Sequence, residues 1–295
     1  MSKHRLSEAE RDQRRVADRE RLRQAAEQLL SSEGWQRWVN TRATNGLSRY
    51  SFNNQLLIAL QTGGTATFVA GFRAWLKLGY AVERGQKAIR IFAPMPIRQR
   101  EEGQGEASGE DEECQRILFR SVAVFDRRQV SPIDGADPAP LEPPCEPLTG
   151  ESHSHLLARL ERFAAEIGFS VAFESITGSA GGRCEAEAKR IVVDADLSAN
   201  AQVRVLVHEL AHALGVGYRE FGRERAEVIV DAVTFIVCGS VGLDVSGETV
   251  PYVAGWGEEG ALDAVLTFAA RIDEIARRLE DALAGEQQEV QAVAA

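Results

Sequence analysis

The 295-residue sequence predicts an α+β protein in two domains, the second a compact one built on a small antiparallel sheet and a single helix carrying chemical groups. Three observations lead there. Residues 131–149 hold six of the nine prolines, which reads as a semi-rigid, extended linker. The charge reverses across the chain: residues 1–100 hold 18 Lys and Arg against 8 Asp and Glu, a balance of +10, and the remainder balances at −20. Helical periodicity and short strand-like runs occur on both sides of the linker.

Composition bounds the function. Hydrophobic content of 44% and charged content of 26% describe an ordinary globular chain. The N-terminus is charged from the start and no apolar run reaches membrane-span length, so neither a signal peptide nor a span is expected and the cytoplasm is the expected compartment. Cys114, Cys145, Cys184 and Cys238 are scattered without a C-x-x-C pair and read as reduced thiols. A net charge of −10 argues against nucleic acid, but the basic first third argues for a polyanion partner there.

In chain order, residues 5–31 form a helix free of Pro and Gly, with Ser7 and Glu10 as a capping box. A second helix begins near Trp35. Residues 46–62 make a third, with Leu56, Leu57 and Leu60 on its apolar face. A strand T-F-V-A leads into the helix F-R-A-W-L-K-L-G, ended by Gly79. A turn at Gly85 feeds a strand Ile89 to Ala93. Residues 101–113 are an acidic, Gly-rich loop expected to be disordered, and Arg116 to Asp126 pairs across it as a hairpin. Past the linker come a helix from His153 to Ile167, a strand Phe169 to Glu174, a turn at Ser179 to Gly182, and a strand Arg190 to Asp194. That last strand is placed where it could form the edge that pairs with an extended peptide. His153 and His155 read as surface residues.

The stretch Val205 to Gly215 contains H-E-x-x-H. Residues four apart share a helix face, so His208 and His212 can offer two imidazoles to one zinc ion, with Glu209 beside them to act on a water. Ser198 or Asn200 caps this helix. Fourteen residues beyond His212, Glu227 and Asp231 repeat the four-residue spacing inside the apolar run Val228 to Cys238. A carboxylate on a buried helix must be paired or bound to metal. Zinc would satisfy Glu227 as a third ligand, and Asp231 could accept the other N–H of a liganding histidine; the competing reading is a buried core with hydrogen-bonded histidines. Glu220 and Glu224 sit among arginines and read as solvated. Tyr252, in a loop beyond, is a candidate oxyanion donor, with packing as its competing role. Residues 260–284 close the chain as an amphipathic helix.

The H-E-x-x-H then E-x-x-x-D spacing resembles the gluzincin metallopeptidases, and more closely the compact domains of the ImmA/IrrE and ArdC type. That resemblance implies a zinc-dependent peptidase domain over residues 150–295, with Glu209 as general base and a protein substrate. A second resemblance rests on Y-S-F-N-N-Q-L-L-I, G-F-R-A-W-L-K-L-G, V-E-R-G-Q-K-A-I-R-I-F-A-P and F-R-S-V-A-V-F-D, which look like the N-terminal domain of ArdC-type antirestriction proteins. Ala88 departs from the pattern, where a glycine is usual. This resemblance implies a module over residues 1–130 that binds single-stranded DNA. Arg49, Tyr50, Arg73, Trp75, Lys77, Arg84, Lys87 and Arg90 interleave cations and aromatics in the way such a groove requires. The same residues fit core packing and solvated charge. Three functions stay open at this point: a zinc peptidase directed or regulated by DNA, a non-proteolytic antirestriction factor with a structural zinc, and a regulatory protease that cleaves a repressor.

Overall fold

The computed structural model describes residues 8–43, 47, 49–97, 116–138, 148–178, 180–245 and 261–284. The acidic stretch 101–113, Ser7, Cys114, Cys145 and Tyr252 lie outside the described residues. Three helices open the chain: α1 (Glu8–Glu27), which passes into a 3-10 turn, α2 (Ser32–Ala43) and α3 (Phe52–Thr62). The third begins later than residue 46. Then follow β1 (Val69–Gly71), α4 (Phe72–Lys77), β2 (Tyr80–Val82), β3 (Ile89–Ile97), β4 (Arg116–Asp126) and β5 (Val130–Pro132). The second half contributes α5 (Leu157–Glu166), β6 (Ser170–Glu174), β7 (Gly182–Glu185), β8 (Arg190–Asp194), α6 (Ala199–Ala213), α7 (Tyr218–Phe221), α8 (Arg223–Ser240) and α9 (Ala261–Leu283). No helix of the described residues is long and apolar enough to cross a membrane.

The first half holds an antiparallel sheet of order β1-β4-β3 and a small β2-β5 pair. Two polar side chains of α3 cover the outer edge of β3. Asn54 exchanges both hydrogen bonds with the Phe92 backbone at 2.8 and 2.9 Å, and Gln61 does the same with Arg90 at 2.9 Å. The amides of Arg90 and Phe92 therefore point away from β4. Pro94 and Pro96 share their parity, so their missing N–H groups cost the ladder nothing. The strand accordingly runs past Ala93, where the sequence reading stopped it. Ser131 and Pro132, placed in the linker by composition, are instead strand residues paired with Ala81 and Tyr80.

The second sheet has the order β6-β8-β7, with β6 parallel and β7 antiparallel to β8. This corrects two expectations. The sheet is mixed rather than antiparallel, and Arg190–Asp194 is its central strand, leaving Gly182–Glu185 as the edge nearer the histidine helix. Ser198 caps α6, accepting from the Ala201 amide at 3.4 Å, while Asn200 lies inside the helix. His153 is buried rather than on the surface: its Nε2 meets the Val241 carbonyl at 2.8 Å, and its amide donates to Asn200. It ties the start of α5 to the end of α8.

The largest apolar core crosses the Pro-rich segment. Trp35, Trp38, Val39 and Leu57 from the first helices pack with Leu206, Leu210, Val233, Ile236, Ile272 and Leu279 from the second half. The first sheet keeps two small cores of its own, one around Trp75 and one around Ile91. Helix α2 approaches α8 closely, since a Cβ on Gly239 would stand 3.0 Å from Ala43. Beside this contact Arg42, fully buried, binds Asp273 at 2.6 Å and both Glu280 oxygens at 2.6 and 2.7 Å. Burial opposes the Arg42 charge, yet the two carboxylates more than offset it and hold the guanidinium above its ordinary pKa. Gln55 of α3 donates to Asp273 as well, at 2.9 Å. Buried charges persist only when paired in this way.

Candidate metal centre

Helix α6 buries Val203, Leu206, Val207, Leu210 and Ala211 in the shared core, which turns the remaining face, with His208 and His212, toward α8. Helix α8 is buried through Ala226, Ile229, Val230 and Val233, and this fixes Glu227 and Asp231 on the facing stripe. His208 Nε2 lies 3.5 Å from Glu227 Oε2, and His212 Nε2 lies 3.9 Å from Glu227 Oε1. One ligand atom from each of His208, His212 and Glu227 falls within 4.8 Å of the others, the group of this kind among the described residues that could hold an ion. Asp231 Oδ1 stands 3.5 Å from His208 Nδ1.

The tautomer of His212 follows from its partner. Its Nδ1 is 2.8 Å from the Val216 carbonyl, which can only accept, so Nδ1 carries the proton and the Nε2 lone pair is free. Gly215, at φ +102°, gives the chain the left-handed turn that brings Val216 back to this ring.

Glu209 is buried, more deeply than His208 and His212, and receives the backbone N–H of Cys184 on β7. Burial and then the Glu227 charge push its carboxyl up to about 7, against the Cys184 hydrogen bond. The close approach of β7 to α6 depends on Gly182, where a Cβ would meet Val205 at 2.5 Å and Glu209 Cγ at 3.2 Å. Composition marked Gly182 only as a turn residue; its role is steric and visible only once strand and helix are in place.

Tyr218 is the residue the sequence reading missed. It opens α7, its hydroxyl donates to Glu227 Oε1, and its ring stands edge-on to His212 with centroids 5.3 Å apart. Half of it is exposed. Burial, with the Glu227 hydrogen bond next, pushes its hydroxyl up to about 12. No spacing rule marks a tyrosine six residues after the second histidine. Glu220 and Glu224 are exposed, as their arginine neighbourhood suggested.

The expected DNA contacts divide. Arg73, Lys77, Arg84, Lys87 and Arg90 are exposed. Trp75 is 0% exposed, its indole N–H bonded to the Phe125 carbonyl at 2.9 Å, so no base can stack on it. Tyr50 is half-buried and donates to the Val69 carbonyl at 2.7 Å. Arg49 binds the same carbonyl at 2.7 Å and lies over the Phe68 ring. Phe72, 51% exposed beside Arg73, and Phe119, 71% exposed beside Arg120, are the aromatics left facing solvent on this half.

Fold and site together define an α+β protein with a cationic N-terminal module and a helix-borne His-Glu-His cluster. A family model described as the N-terminal domain of anti-restriction factor ArdC matches residues 19–125. Residues 19–125 are therefore assigned to that domain. Two solved structures are similar to it, the metal-free and the Mn(II)-bound crystal structures of the antirestriction ArdC protein from plasmid R388. Both are 17% identical; the first covers 82% of this chain and 85% of its own at a TM-score of 0.44, the second 90% and 99% at 0.49. No curated protein matches the chain.

Proposed function

We propose that this chain is a zinc-dependent peptidase whose N-terminal module holds single-stranded DNA, acting in an antirestriction setting. The observation that carries the catalytic part is the convergence of His208, His212 and Glu227 within 4.8 Å, with a buried carboxyl at Glu209. Two imidazole nitrogens and one carboxylate suit zinc, and the His212 tautomer leaves its lone pair available to a metal. On this reading residues 150–295 are a zincin-like domain. Bound there, zinc would polarise a peptide carbonyl and acidify a water.

The chain's own residues do the rest. Glu209 takes a proton from the attacking water and returns it to the leaving amide nitrogen; the hydroxyl stays on the carbonyl carbon, so one water is added across the C–N bond. The Cys184 amide holds Glu209 for that transfer. The outer edge of β7 runs beside it and suits an extended peptide, which favours a protein substrate. Asp231 orients His208. On the module matched to ArdC, the exposed cations Arg73, Lys77, Arg84, Lys87 and Arg90 favour a phosphate backbone.

The test uses the full-length protein, with and without chelator and single-stranded DNA, on candidate protein substrates. Zn2+ is compared with Mn2+, because the R388 protein is known in an Mn(II)-bound form. Glu209→Gln keeps the shape of the side chain and should retain metal and DNA binding while proteolysis falls by about three orders of magnitude. If Glu209→Gln supports full antirestriction activity, the second reading replaces the first: a DNA-binding antirestriction factor with a structural metal, which the exposed cations alone would serve.

A further inference from the structure

We infer that Tyr218 is a positioning residue that makes Glu227 a one-oxygen metal ligand. The inference rests on the metal-centre reading above and deepens it. Glu227 offers two oxygens, and a carboxylate free to use both can occupy two coordination positions. Here the two are differentiated. Oε1 accepts the Tyr218 hydroxyl, while Oε2 is the oxygen nearest His208 Nε2, at 3.5 Å. An oxygen engaged with a phenol donor is a poorer metal donor than its free partner, so Oε2 is the one left to bind.

The position of Tyr218 is built rather than incidental. Gly215 turns the chain in the left-handed region, the Val216 carbonyl is fixed on His212 Nδ1, and α7 starts two residues later. The phenol ring then packs edge-on against His212. One side chain therefore touches two of the three ligands, which come from different helices. A three-ligand metal with a one-oxygen carboxylate keeps a position open for water or substrate, the arrangement that separates a catalytic zinc site from a closed structural one. The ring is half exposed to solvent.

The test measures metal rather than turnover. Zn2+ affinity of the full chain is determined by chelator competition for wild type, Tyr218→Phe, Glu227→Gln and the double variant, and the same proteins are loaded with Co2+ for absorption spectra. Tyr218→Phe should bind Zn2+ about 10-fold to 100-fold more weakly, as loss of a hydrogen bond that orients a ligand does. Its Co2+ spectrum should shift toward higher coordination number as Glu227 becomes free to use both oxygens. In the Glu227→Gln background the same change should add less than about twofold, because the hydroxyl acts through Glu227. Zn2+ affinity of Tyr218→Phe within twofold of wild type, a Co2+ spectrum identical to wild type, or full additivity with Glu227→Gln would each overturn the inference. A wild-type chain that takes up neither metal would instead remove the metal-centre reading on which it stands.

Discussion

The metal centre and the cationic face of the N-terminal module differ in how their chemistry is held. At the centre, His208, Glu209 and His212 of α6, Tyr218 of α7, and Glu227 and Asp231 of α8 come together, and three of them are held by a further contact: His212 by Val216, Glu209 by Cys184, Glu227 by Tyr218. On the N-terminal module the cations stand singly on α4, on the turn before β3 and on β3 itself, exposed, while Trp75 has gone inside and Phe72 stays in solvent. A centre that must bind an ion needs preorganised donors. A face that meets a flexible polyanion needs charge and reach. The first leaves a short, spaced signature in the sequence; the second leaves a composition.

That contrast can be broken at its joint. Arg42 of α2 ties the first half of the chain to the second, paired with Asp273 and Glu280 of α9. Arg42→Ala takes the guanidinium away from the mostly buried Glu280, while Asp273 keeps Arg277 and Gln55, and should lower unfolding free energy by about 3 kcal/mol. A single cooperative denaturant transition should fall as a whole; if only a late or early sub-transition moves, the halves are energetically separate. Trp75→Ala should cost a similar ~3–5 kcal/mol through the cavity it leaves, whereas Phe72→Ala should cost under about 1 kcal/mol and act on DNA binding instead. Equal stability losses at the two positions would contradict their burial.

The pH dependence sharpens the centre. In the metal-free protein the Glu209 carboxyl is raised from 4.5 to about 7, so the folded state holds a proton there that the unfolded chain has released. Its contribution therefore favours folding below pH 4.5 and is lost as pH rises through 7, by about 3 kcal/mol at most. Chemical denaturation between pH 4.5 and 7 should show this falling slope in wild type and its absence in Glu209→Gln. The smallest effect belongs to the cationic face. Arg73→Ala and Lys77→Ala should each weaken single-stranded DNA similarly for all sequences and reduce the salt slope by about 0.7 per lost contact. Strong sequence preference in either variant's loss would point to base reading rather than backbone contact.

Much of the centre was legible because helical spacing is a local property. Four residues along a helix return to the same face wherever the helix sits, so His208 with His212 and Glu227 with Asp231 could be paired before any packing was known. Tyr218 was not legible, since its approach depends on the turn at Gly215, and Tyr252, the tyrosine chosen from the sequence, lies outside the described residues. For Trp75 the sequence left a stacking platform and a core position both open, and burial decides for the core. In F-R-A-W-L-K the apolar and cationic residues alternate so evenly that either face could have been inward; the sheet took Trp75 and left Phe72 outside.

The sequence by itself determined the elements whose signals lie within a few residues: the hairpin across 98–115, the capped α6, the apolar α8 and the donor atoms they carry. Tertiary structure alone decided which strand became the edge, that α1 to α3 would share a core with α8 and α9, and that Gly182 would let β7 reach Glu209. The reason is physical. Periodicity and capping act over one or two turns of chain, whereas burial, strand order and the pairing of Arg42 with residues more than two hundred positions away depend on which surfaces meet. Those meetings are chosen by total apolar area and by the need to satisfy every buried charge.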